Sequence, residues 1–118
     1  MMQNLIDMLG AGQCSLVILH DGRVRSFGGH GVSRLYNIMA EEPELLYDAK
    51  LAAKAVGGSA AQMMVEGGVA EVWADYISQQ ACDLLLEAGV KVGFGRRMSH
   101  AAFLRLWQRL GETAAVTA

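Results

Sequence analysis

The apolar positions of the chain fall into two periods, and the alternation between them predicts its elements. Met2, Leu5, Ile6, Met8 and Leu9 have the spacing of a short amphipathic helix over 2–9, which Gly10-Ala11-Gly12 would stop. Cys14-Ser15-Leu16-Val17-Ile18-Leu19-His20 is a near-continuous β-favouring run, as expected of a strand buried on both faces. Asp21-Gly22 tolerates the positive φ of a two-residue hairpin turn, and Arg23-Val24-Arg25-Ser26-Phe27 alternates as a half-buried partner strand would. Val32, Leu35, Tyr36 and Met39 return to helical spacing, entered from Gly28-Gly29-His30-Gly31 and ended by Glu41-Glu42-Pro43.

From about Asp48 to Gly67-Gly68 the small, mostly apolar residues predict a further helix, capped by Asp48 and central to the molecule. Gly57-Gly58 in its middle costs roughly 1 kcal/mol per glycine against alanine, which requires either close packing or a break in the helix there. Gly67-Gly68 is a left-handed stop. Residues 69–76 read as a strand, Ser78 as the N-cap of a helix striped by Ala81, Leu84, Leu85 and Ala88, and 90–94 as a short strand. Ser99 then caps a final helix striped by Phe103, Leu104, Trp107 and Leu110, and 113–118 is expected to fray. The expected order is α, hairpin, α, α, β, α, β, α, a three-layer α-β-α domain around a mixed sheet over residues 1–112. The strands of the 69–94 unit should be parallel.

Composition narrows the function classes. The chain has 118 residues, 53% apolar and 19% charged, enough for one globular core and too few for two. Net charge is −2, with no dense Lys or Arg block, so the footprint of duplex nucleic-acid binding is missing while a single nucleotide remains compatible. No apolar run is long enough to cross a bilayer, and Met1–Asp7 lacks a signal-peptide pattern. With two cysteines and no secretory context, the expectation is a reduced cytoplasmic protein without a disulfide.

The residues also carry a resemblance. Ser15-Leu16-Val17 before the Asp-Gly turn, Gly31-Val32, Lys54-Ala55-Val56-Gly57, Ala60-Ala61, Gly67-Gly68-Val69 and Ser78-Gln79-Gln80-Ala81 resemble, in order, an uncharacterised prokaryotic family of the cytidine-deaminase-like fold. The resemblance covers roughly 14–95. It implies that fold, with homo-oligomers common among its members. The family pattern opens its central helix with an Asp-Lys pair. Here Lys54 matches the lysine, but Ala53 stands at the aspartate position. The family's closing Asn-Arg and Cys-Pro elements are replaced by Arg96-Arg97 and the 99–110 helix.

Zinc deaminases in this fold need a His or Cys with a nearby Glu on one helix and Pro-Cys-x-x-Cys on the next. The segments 54–61 and 78–82 contain neither motif, and Cys82 alone cannot hold zinc. The expectation is therefore a domain without zinc chemistry or another cofactor, binding a small anionic metabolite or nucleotide. Gly29, His30 and Gly31 before a helix offer backbone amides to an anion, against the plainer reading of a flexible link. Lys54 offers a cation, against snorkelling to the surface. Gly57, Gly58, Ser59 and Ser78 complete the candidate site, against helix packing for the glycines and N-capping for the serines. Arg96-Arg97 reads either as an anion contact at the mouth of the sheet or as a solvated edge. Cys82 reads as a core thiol. Two rival expectations stand beside binding: an inactive interaction protein acting through a homo-oligomeric surface, and a metal-free enzyme using Lys54 or His30.

Overall fold

A computed structural model describes residues 2–11, 14–28 and 31–109. Its elements are α1 (Met2–Ala11), β1 (Cys14–His20), β2 (Arg23–Gly28), α2 (Gly31–Glu41), a 3-10 turn (Pro43–Leu46), β3 (Lys50–Val56), α3 (Gly58–Gly67), β4 (Glu71–Ser78), α4 (Gln79–Glu87), β5 (Lys91–Met98) and α5 (His100–Arg109). Among the described residues five strands form one mixed sheet in the order β2-β1-β3-β4-β5. β1 is antiparallel to both β2 and β3, whereas β3, β4 and β5 run parallel.

The hairpin forms where the pattern places it. Asp21 and Gly22 both adopt positive φ, 51° and 77°, as the right-handed twist of the flanking strands requires. Ser78 and Ser99 cap α4 and α5: their hydroxyls accept from the Ala81 and Ala102 amides at 3.1 and 3.2 Å. Gly68 ends α3 at φ 81°.

The segment before Gly57 is not helical, and this corrects the expected order. Residues 50–56 form the central strand, and the chain breaks at the glycines, with Gly57 as the N-cap of α3. Alanine-rich composition favours helix locally. Here both neighbours in the sheet claim the backbone: Leu16–Leu19 pair with Lys50–Ala53 on one side, and Glu71–Ile77 pair with β3 on the other. Asp48 caps no helix. It takes φ 56° in a turn whose amide donates to the Gly68 carbonyl at 2.8 Å. β5 also runs four residues beyond the expected stop at 94, carrying Arg96 and Arg97 in the strand.

Strand alternation divides the core into two layers. Leu16, Ile18, Leu51, Ala53, Val72 and Ala74 join Leu35 and Ile38 of α2, Ala61 and Met64 of α3, and Ala81 and Leu85 of α4. On the opposite face Val17 and Ala52 pack under Leu5 and Leu9 of α1. The small residues of β3 let helices approach both faces. Phe103 of α5 is buried with the larger cluster.

Candidate functional site

The starts of α3 and α4 follow directly from the ends of the parallel strands β3 and β4. Gly57 caps α3 with extended backbone and no side-chain hydrogen bond, so no hydroxyl or carboxylate covers the first-turn amides. Gly58 is buried in that first turn. A Cβ at Gly58 would lie 3.0 Å from Gln80 Oε1, so the missing side chain leaves room for the end of the Gln80 side chain against the first turn of α3.

Above these starts lies a cleft of about 520 Å3 walled by Tyr36 of α2, Gly58, Ser59, Gln62 and Met63 of α3, and Gln80 and Leu84 of α4. Among the described residues its walls carry no Lys, Arg, His, Asp or Glu. What they offer is two side-chain amides, a serine hydroxyl, a phenol and two apolar side chains. Gln62 donates to Glu66 along its own helix at 3.3 Å. The Gln80 amide makes no side-chain hydrogen bond among the described residues, leaving both its donor and its acceptor to the cleft. The Tyr36 ring, 60% exposed, stands at the rim.

The expected site residues are only partly brought together. Gly58 and Ser59 line the cleft, beside the cap residue Gly57. Ser59 follows the cap by two residues and is not itself a cap. Ser78 is fully buried, with its oxygen engaged by the Ala81 amide. Lys54 is half-buried on β3, where alternation gives it the face of Ala52, the α1 side, away from the helices that wall the cleft. Gly31 is the first residue of α2, while Gly29 and His30 lie outside the described residues. Cys82 is 1% exposed within the apolar core.

Tyr36, Gln62, Met63, Gln80 and Leu84 were not among the expected site residues. The available signal was spacing. Gln62 and Met63 lie four and five residues after Gly58, and Gln80 two after the Ser78 cap, positions that return to the start of each helix. Among the described residues no three His, Cys, Asp or Glu side chains gather as a metal ion requires. Nor is any described helix long and apolar enough to cross a membrane.

Three comparisons bear on this geometry. The family described as a domain of unknown function, DUF1893, matches residues 4–102. The fold is similar to that of a DUF1893 family protein, TM1506, from Thermotoga maritima, with TM-score 0.72 and 18% identity over 82% of this chain. That match spans 65% of the other chain, just under two thirds of its length. The fold is also similar to that of a diaminohydroxyphosphoribosylaminopyrimidine deaminase/5-amino-6-(5-phosphoribosylamino)uracil reductase from the same organism. There the TM-score is 0.51 and identity 16%, over 80% of this chain and 35% of that one. No curated protein matches the sequence.

Proposed function

The chain belongs to the DUF1893 family, and from that premise we propose that it binds a small nucleotide-like metabolite in the cleft between α2, α3 and α4. The observation that carries this reading is the open start of α3. The cleft begins at a glycine-capped helix whose first-turn amides have no side-chain partner. Such amides suit a phosphate or carboxylate. Gln80 and Gln62 can each donate and accept, which suits the edge of a planar heterocycle, and Tyr36 supplies a ring face for stacking.

A metal-activated water has no support in the donor set. The starts of α3 and α4 contribute one thiol, Cys82, which is buried in apolar core where a catalytic zinc would need three ligands and an open position. Apart from the Tyr36 phenol the described residues of the cleft walls carry no titratable side chain, and what they offer suits binding.

Thermal unfolding against nucleotides and carboxylated heterocycles tests the reading. A ligand at a hundredfold excess over its Kd should add about 2.7 kcal/mol of stability. Gly58→Ala should keep the fold, since only the flexible end of Gln80 stands in the way of the methyl, yet it should remove the ligand-induced shift. Gln80→Ala should weaken that shift. A shift that survives both substitutions unchanged would place the ligand elsewhere.

A second reading, an interaction protein, is favoured by the sheet edges. Val24 on β2 and Phe94 on β5 are 44% and 37% exposed, and an edge strand offers unpaired backbone groups to another chain. A homo-oligomer whose sedimentation coefficient rises with concentration, together with no thermal shift across the panel, would favour it over the cleft.

A further inference from the structure

A separate cavity of about 330 Å3 opens beside the C-terminal ends of β4 and β5, walled by Tyr76, Arg96, Met98, Ala102, Arg105 and Leu106. It shares no described residue with the cleft above. The register that builds it is simple. Tyr76 pairs with Arg96 and Ser78 with Met98, so Tyr76, Arg96 and Met98 project from the same face of neighbouring parallel strands. Ala102, Arg105 and Leu106 are three and four residues apart on α5 and form one stripe across the opening.

Two guanidinium groups therefore face one cavity whose described walls carry no Asp or Glu. Ion pairs join Arg25 to Glu42 and Lys50 to Glu71, and neither Arg96 nor Arg105 has a carboxylate partner among the described residues. Arg97 instead lies over the Phe94 ring at 5.7 Å. The half-buried Tyr76 phenol likewise makes no hydrogen bond among the described residues. Among the described residues, donors from three elements line one opening with no carboxylate beside them, and two like charges there favour an anion between them.

We propose that this cavity is a phosphoryl-binding site for a small phosphomonoester. Guanidinium groups match phosphate oxygens in paired, charge-assisted hydrogen bonds, and the Tyr76 hydroxyl adds a third donor. The cavity has room for roughly ten waters' share of liquid volume, more than a bare phosphate fills. Met98, Ala102 and Leu106 supply apolar wall for the organic part. The position, at the C-terminal ends of parallel strands, is where open α/β sheets collect ligands.

The test titrates the full-length protein with inorganic phosphate and with glycerol 3-phosphate, at ionic strength matched by chloride, and follows binding by calorimetry. The expected result is saturable binding of either probe, tighter for the phosphomonoester. Arg96→Gln and Arg105→Gln should each weaken it roughly tenfold or more, and Tyr76→Phe severalfold, while Arg23→Gln on β2 leaves it unchanged. Far-UV circular dichroism confirms folding of each variant, and if one arginine variant misfolds the other decides. Binding of neither probe above the chloride control, or weakening by Arg23→Gln as large as by the cavity variants, would overturn the site. Because Gly58→Ala leaves these walls intact, failure here and failure of the cleft reading are separable.

Discussion

Gly67 shows how much a single missing side chain can decide. A Cβ at this position would lie 2.7 Å from Leu46 Cδ1 and 2.8 Å from its Cβ, and Leu46 is fully buried. Gly67→Ala should therefore lower stability by about 1–3 kcal/mol, the usual cost of overpacking, read as a lower urea midpoint with unchanged slope. The two capping serines provide a graded comparison. Ser78 is buried and Ser99 exposed, yet both accept one amide hydrogen bond. Ser78→Ala should cost about 1–2 kcal/mol and Ser99→Ala less, because water can replace the lost acceptor only at the exposed cap. Equal losses in urea titrations would show that burial adds nothing to this cap. Both caps were legible in the sequence, as a hydroxyl followed by helical periodicity. The burial of Ser78 was not.

At the scale of elements, β3 is the instructive case. Ala52 and Ala53 occupy opposite faces, Ala52 beneath α1 and Ala53 against the layer of α2, α3 and α4. Small side chains there are a packing requirement of a strand covered on both faces, although along the chain they look like helix. α1 depends on the same contact: Leu5 and Leu9 are each 1% exposed and rest on Val17 and Ala52. Leu9→Ala should destabilise the protein by about 2–5 kcal/mol, measured by chemical denaturation. A loss below about 1 kcal/mol would mean that α1 contributes little to the folded state. By contrast the Arg25–Glu42 pair joins β2 to the end of α2 at 2.9 Å, with both side chains about half exposed. Removing it should change stability by no more than about 1 kcal/mol.

For the whole molecule, both helical layers rest on the same central strands β1 and β3, so neither has a core of its own. Unfolding should be one cooperative transition, with urea curves from far-UV circular dichroism and tryptophan fluorescence superimposing. In a Trp107→Phe background the fluorescence comes from Trp73, which packs against the α1 cluster and donates to Asp75 at 3.2 Å, so the second probe is sensitive to that layer. Non-coincident curves would show that the α1 layer melts separately.

The sequence by itself determined the hairpin, the helices with hydroxyl caps and glycine stops, and the parallel β4–α4–β5 unit, because their signals are local. Turn chemistry, cap chemistry and side-chain period act within a few residues. It also brought Gly58 and Ser59 into the candidate site, since a glycine pair marks an abrupt change of backbone. Only the tertiary structure decided that residues 50–56 are a strand, because that choice rests on hydrogen bonds to β1 and β4, which are distant along the chain. It also separated Lys54 from the cleft, since a residue's face follows from being in a strand at all. And it drew Tyr36, Gln62 and Gln80 to one opening and Arg96 and Arg105 to another, through packing between elements that no local pattern records.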